Sequence, residues 1–246
     1  FYIGSLPSLA TDTAPVTSAA GWATGANSPQ SAASTFNALY WPHIQVPDPA
    51  GVGRNPAITI PPAGYLAGLY AQTDGRRGVW KAPAGTEVRL GGVRGLEFDV
   101  LDVHQDSLNP LGVNVLRRIP RAGMVVWGAR TRQPTSEWRY VPVRRTAIFL
   151  RKSIYNGIQW AVFEPNDERL WRSLRNTIGA FMEIQFRNGA FAGDTSRDAY
   201  FVKVDSETTT PDDQAAGIVN ILVGFAPLRP AEFVVVSLQQ MTARSR

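Results

Sequence analysis

Two hydrophobic periods alternate along this chain, and each change of period marks an element. Between Glu164 and Gly189 the residues Leu170, Leu174, Ile178, Phe181 and Gln185 share one helical face, while Arg169, Arg172, Asn176, Glu183 and Arg187 share another. That spacing is the 3.6-residue repeat of an amphipathic helix. Pro165 suits its first turn, Asp167 and Glu168 suit the positive end of its dipole, and Gly189 suits the position just past its end. VRRTAIFLRKSIYNG reads as a preceding helix closed by Gly157, and GYLAGLYAQT as a small-residue helix that lets a neighbouring backbone approach closely.

Shorter apolar runs predict strands. GMVVWGA (Gly123–Ala129) has the length and β-branching of a buried strand, and QWAVF and AYFVKV read the same way. In IVNILVGFA the residues Val219, Ile221, Val223 and Phe225 alternate onto one side. AEFVVVSLQQ is apolar in both phases, so both of its faces should be covered. AASTFNALYW (32–41) is expected to form a short helix stopped by Pro42, and VPDPAGVGRNPAITIPPAGY an extended crossing loop punctuated by Pro and Gly.

The Ser, Ala, Thr, Gly and Pro of the first 31 or so residues suggest a loop-like lead-in without a core of its own. The expected division is a lead-in over 1–37, an α/β core over 38–142, and an α+β terminal domain over 143–246 with its last strand at 231–240. The chain opens at Phe1 rather than Met, and is expected to be the C-terminal portion of a longer product.

Composition narrows the chemistry. There are 246 residues, no cysteine, two histidines and a charged fraction of 18%. Disulfides, thiolate catalysis and Cys-ligated metals are excluded. No apolar run is long enough for a membrane-spanning helix, and no secretory signal opens the chain. The net charge of +5 would permit nucleic-acid binding, but the basic residues are scattered apart from the doublets Arg76-Arg77, Arg117-Arg118 and Arg144-Arg145. No nucleic-acid-binding motif accompanies them, so a basic face meeting an acidic protein surface fits the charge equally well.

Candidate catalytic groups each have a simpler reading. His104 lies near Asp99, Asp102 and Asp106, but one histidine among acids on a short amphipathic segment is more often a surface or capping group than a ligand. His43 is expected to be packed or half-exposed. Glu164 and Asp167 resemble a carboxylate pair, yet their place at a helix start gives them a capping job. GVGRNP and RLGGVRG match no phosphate-binding pattern and read as turns. No G-x-S-x-G elbow occurs, and no cofactor is called for. Trp80, Trp127, Trp138, Trp160 and Trp171 are expected in the core, with Trp80 the best candidate for a loop position.

The tract from Gln105 to Asp167 is rich in Trp, Arg and β-branched residues, side chains suited to large contact surfaces. With LNPLGVNVLR, VWGART, EWRYVPVRR, QWAVFEPND and PLRPAEFVV it closely resembles contractile tail sheath proteins of phage tails and extracellular injection systems. The resemblance runs from about Ala38 to Gln239. It implies a structural, non-enzymatic subunit: hexameric rings stacked helically around an inner tube, with baseplate and cap components, no nucleic acid and no small-molecule substrate. It also implies assembly in the cytoplasm into a phage tail or tail-like particle that can be released. An α/β-hydrolase-like enzyme and a basic nucleic-acid-binding module are the alternatives.

Two surfaces follow. The residues Glu232, Phe233, Val234, Val235, Val236, Ser237 and Leu238 form a candidate inter-subunit strand, since unpaired backbone groups at a sheet edge invite another chain. The resemblance supplies the partner, an arm from an adjacent subunit. Arg169, Arg172 and Arg187 form a basic stripe expected to face the tube or a neighbouring subunit.

Overall fold

The structure, a computed structural model, describes residues 1–25, 35–51 and 56–232. In chain order it runs through β1 (Tyr2–Ser5), α1 (Pro15–Thr24), β2 (Asn37–Trp41), β3 (Ile44–Pro47), β4 (Ala57–Ile60), α2 (Ala63–Arg77), β5 (Gly95–Leu96) and α3 (Asp102–Leu108). It continues through β6 (Val113–Ile119), β7 (Gly123–Trp127), α4 (Val141–Gly157), α5 (Glu168–Arg187), α6 (Ser196–Ala199), β8 (Tyr200–Lys203), α7 (Pro211–Ala215) and β9 (Leu222–Phe225).

The central sheet has the order β1-β2-β6-β7, parallel across its first three strands and antiparallel at the last pair. All five residues of β2 are buried. Successive side chains of a strand point to opposite faces. Ala38 and Tyr40 accordingly join Leu66, Leu116 and Val126 in one cluster, while Leu39 and Trp41 join Leu6, Ala19, Val113 and Val115 in the other. A strand covered on both faces reads as an unbroken apolar run. That is why NALYW carries no polar alternation, and why the later part of the helix expected over 32–41 is instead this strand, residues 32–34 lying outside the described ones.

The lead-in is also more ordered than its composition suggests. β1 pairs in parallel with β2, and α1 lays Ala19 and Ala23 onto the sheet. The small residues that read as loop allow this helix to sit close to the strands beneath it. The proline-punctuated stretch after Pro42 likewise supplies strands: β3 pairs with β4 (Ile44↔Ile60, Val46↔Ile58) and with β5, forming a second, antiparallel sheet. Most of GVGRNP lies outside the described residues. In RLGGVRG the turn is made at Gly92, whose φ of 78° suits glycine. The free edge of β7 is covered, because Gly85, Val88 and Leu90 exchange backbone hydrogen bonds with Met124 and Val126.

The terminal part is α+β, as the pattern predicted. α4 and α5 pack through Leu150, Ile178 and Met182, with the Phe149 and Phe181 rings 6.2 Å apart. β8 and β9 form a two-stranded antiparallel sheet whose Val202 and Val223, with Ile221 just before β9, lie against α5. Leu170, Leu174, Ile178 and Gln185 are buried on α5 and Phe181 is half-buried. Pro165 lies outside this helix, two residues before the N-cap Asp167. QWAVF is not a strand: Gln159–Ala161 form a 3-10 turn between two helices, and no strand among the described residues pairs with it. Trp171 is buried, Trp80, Trp127 and Trp138 are half-buried, and Trp160 is exposed on that turn.

Inside the first core the Tyr40 and Tyr70 hydroxyls meet at 2.5 Å, below the Arg145–Asp74 ion pair. Burial is the main reason both phenols are held above their ordinary value of 10.0, and their mutual hydrogen bond adds to this at Tyr70. A raised phenol gives stability that is complete below the unfolded value and is lost as pH rises beyond it. The unfolding free energy should therefore fall above pH ~10, by up to about 1.4 kcal/mol per pH unit for each phenol. The double variant Tyr40→Phe/Tyr70→Phe should flatten this profile in urea titrations run from pH 8 to 11. An unchanged slope would assign the alkaline loss elsewhere.

Candidate subunit-contact surface

Three features of the terminal part are presented outward or lead out of the fold. The first is the stretch that leads to the segment expected as the last strand. After β9 the chain is tied back at Ala226, whose N–H donates to the Ala199 carbonyl and whose carbonyl accepts from Ala192. Leu228 to Glu232 then run along a cleft of about 690 Å³ that Trp80, Trp127 and Gly128 also line. Glu232 ends this run in a polar clasp. Arg130 donates from Nε to Glu232 Oε1 at 2.9 Å and from Nη2 to Oε2 at 2.6 Å, and the Tyr140 hydroxyl donates to Oε2 at 3.3 Å. The Arg130 and Glu232 side chains keep only 12% and 16% of their surface exposed. Phe233 to Leu238 lie outside the described residues.

Local sequence fixes the arginine. Gly128 crosses Asn114 so closely that an added Cβ would lie 2.9 Å from the Asn114 Cα. This lets the fully buried Asn114 accept the Arg130 N–H at 2.7 Å and donate to the Arg130 carbonyl at 2.8 Å. The guanidinium has a third contact, to the Asn109 carbonyl at 3.0 Å. The Tyr140 hydroxyl is pushed up chiefly by burial and secondarily by the Glu232 charge, so it stays a proton donor to the carboxylate.

The second feature is the exposed face of α5. Arg169 and Arg187 are eighteen residues apart, five turns of roughly 3.6 residues, so they share one azimuth about 27 Å apart with Arg172 alongside. All three are exposed. Arg187 pairs with Glu183 at 2.9 Å, which also accepts from the Tyr200 hydroxyl and is held below the usual carboxylate range by both hydrogen bonds. The structure thus places the three arginines on one face, with the charge of Arg187 partly balanced.

The third feature escaped the sequence pattern. Tyr155, Trp160, Val162 and Phe163 form an exposed apolar corner where α4 meets α5, and Phe163 is 102% exposed with φ at 71°. Positive φ in a bulky residue is rare. The run QWAVF signalled burial, and only the absence of a pairing strand between two helices could have warned otherwise.

Most of the groups that suggested catalysis have structural work. His104 Nδ1 accepts the Leu101 N–H at 3.2 Å at the start of α3, and Asp102 pairs with Arg117 at 2.8 Å. His43 is buried with its Nε2 2.8 Å from the Leu6 carbonyl. Asp167 caps α5 by accepting the Arg169 and Leu170 N–H groups, while Glu164 is exposed and outside the helix. No cluster of three potential metal ligands occurs among the described residues, nor is any helix among them long and apolar enough to cross a membrane.

Comparison with known proteins decides the family. Residues 10–132 match the family described as phage tail sheath protein central domain, and residues 133–241 match the phage tail sheath C-terminal domain. The chain belongs to the phage tail sheath family. Among curated sheath relatives, the tail sheath protein of Vibrio phage KVP40 is 33% identical over 54% of this chain and 20% of its own length. A putative prophage major tail sheath protein of Pseudomonas aeruginosa is 29% identical over 78% of this chain and 48% of its own. The sheath of an extracellular contractile injection system, PVC, solved in the contracted state, superposes with a TM-score of 0.80 at 32% identity, over 97% of this chain and 63% of that one. The contracted helical sheath of the anti-feeding prophage gives 0.75 at 39% identity, over 85% and 57%. This sheath chain therefore spans from a fifth to under two thirds of these relatives.

The cap and the exposed corner should respond differently to mutation in the unpolymerised chain. Asp167→Ala should cost about 1 kcal/mol by removing the α5 cap. Phe163→Ser should change urea stability by less than about 0.5 kcal/mol, because the ring touches solvent only. A large loss for Phe163→Ser would mean that the corner is packed within the subunit.

Proposed function

We propose that this chain forms part of a structural subunit of a contractile sheath. Copies stack as hexameric rings around an inner tube and shorten to drive that tube through a target envelope, without a catalytic site. The carrying observation is that sheath central and C-terminal domains match consecutively along 10–241, on a fold that aligns over nearly its whole length with a contracted injection-system sheath. A relative in the anti-feeding prophage was solved within a baseplate, which supports baseplate components as further partners. Assembly in the cytoplasm into a phage tail or tail-like particle, capped and released, completes the reading.

Physical features support it. Head-to-tail contacts that do not close generate helical filaments. Shortening needs two packings of one subunit, the extended one held metastably. The β8–β9 sheet has only two strands among the described residues, so its edges offer backbone groups for an added strand. Each such hydrogen bond contributes about 0.5–1.5 kcal/mol net, so several together with side-chain burial hold neighbours firmly. We place the 232–238 segment in that exchange, completing a sheet with an arm of an adjacent subunit. The Arg169, Arg172 and Arg187 face is assigned to the tube or a neighbouring subunit.

Electron microscopy of the purified full-length protein should show tubular polymers; compact particles alone would refute the proposal. Ending the chain before Glu232, or substituting Val235→Pro, should abolish the tubes and leave the subunit folded by circular dichroism. Long tubes in either variant would rule out strand exchange. Reversing Arg169, Arg172 and Arg187 to Glu should lower extended-sheath yield on the tube, and an unchanged yield would make this face a solvated one.

A further inference from the structure

We propose that Arg130 and Tyr140 are positioning residues for the inter-subunit strand. By clasping Glu232 they root that strand in the central sheet, so that tension from a neighbouring copy passes into β6 and β7. This rests on the strand-exchange reading above. Three observations carry it.

First, the clasp joins parts that the chain keeps far apart. Arg130 lies in the segment that matches the central domain, whereas Glu232 lies in the segment that matches the C-terminal domain. Glu232 is therefore held at the central sheet, although the strand nearest before it in sequence, β9, pairs with β8. A two-stranded sheet held by four backbone pairs is a weak mechanical anchor, while the Arg130 backbone is locked through Asn114 to both β2 and β6.

Second, the ion pair is costly to build. Both groups are largely desolvated, and such a pair contributes little net stability because removal from water offsets its attraction. What a two-point guanidinium–carboxylate contact does supply is direction. The Tyr140 hydroxyl on the same oxygen narrows the geometry further.

Third, the clasp sits at the point of departure. Glu232 immediately precedes the apolar run Phe233 to Val236, so fixing its backbone fixes where that run begins. A pre-positioned strand loses less freedom when it pairs with a neighbour, which strengthens association without any new contact.

The test separates positioning from folding by measuring the critical concentration for polymerisation beside the melting temperature of the unpolymerised protein. In the double variant Arg130→Met/Glu232→Ala no charge is left buried alone, so the melting temperature should stay close to wild type. Its critical concentration should rise about tenfold or more, as expected for a lost charge-assisted contact. Glu232→Gln keeps the shape without the charge and serves if the double variant fails to fold; it should raise the critical concentration at least about threefold. A critical concentration within about twofold of wild type in a folded variant would overturn the proposal. A chain ending at Glu232 identifies which idea has failed. If it still polymerises, strand exchange is wrong and the clasp falls with it. If it does not polymerise while the folded clasp variants match wild type, only the clasp is wrong.

Discussion

Arginine burial is the constraint on which the joining of the two sheath domains depends. A guanidinium stays charged at any physiological pH, so taking it out of water obliges the fold to supply oxygen acceptors or aromatic faces at fixed positions. This chain does so repeatedly where the domains meet. Arg145 reaches from α4 to Asp74 of α2 with two hydrogen bonds, at 2.8 and 2.6 Å. Arg144 lies between the rings of Phe36 and Trp138, 4.3 and 3.9 Å from their centres, and donates to Thr35 at 2.6 Å. Arg130 holds Glu232. Arg132, at the end of the central-domain match and almost fully buried, donates instead within that domain, to the carbonyls of Leu111 and Ala23, and burial pulls its affinity for protons down. Each contact tolerates one geometry, because the guanidinium fork must meet its acceptors in plane. A subunit braced in this way suits work that moves whole subunits against one another.

Those arginines also account for the composition. A net charge of +5 reads as a basic surface when only counted. Once Arg117, Arg130, Arg132, Arg144 and Arg145 are placed inside or at half-buried joints, the outward charge is smaller and more local. The exposed face of α5 becomes a distinct basic feature rather than one part of a general excess. This also weakens the nucleic-acid alternative physically, since phosphate contacts need accessible cations along a surface.

Legibility in the sequence followed how local the deciding interaction was. α5 was readable apart from Pro165, which lies before its N-cap, because its face, its Asp167 cap and its Gly189 stop all act within a few residues, and Gly189 does adopt a positive φ of 76°. β7, β8 and β9 were readable from short apolar runs bounded by turns. β2 was not, because only its neighbours β1 and β6 make NALYW a strand. The reverse error at QWAVF has the same origin, an apolar run given no strand to pair with. β3 and β4 were hidden by the prolines around them, since their pairing depends on alignment across a gap and not on either run alone. The basic face was legible as an azimuth. The clasp was not, since no spacing links Arg130 to Glu232 across a hundred residues.

The exposed corner and the basic face differ in the interaction each can support. Charges on α5 act over roughly 8–10 Å in physiological salt, so they can steer a partner and slide along it while keeping attraction. Phe163 and its apolar neighbours act only in direct contact and only where a partner excludes water. The shortening proposed above requires one packing to be held and then exchanged for another. Long-range, weakly directional attraction suits the surface that slips during this exchange, and short-range apolar contact suits positions occupied in a single state. The proposed strand exchange fits neither group. In the strand exchange proposed above, backbone hydrogen bonds would be short-range and directional, and a root fixed at Glu232 would let them persist in both packings. The division of labour proposed here therefore rests on where each chemistry is anchored: charge on a helix face, apolar surface on a tight turn, and Glu232, the root of the proposed exchange, on the central sheet.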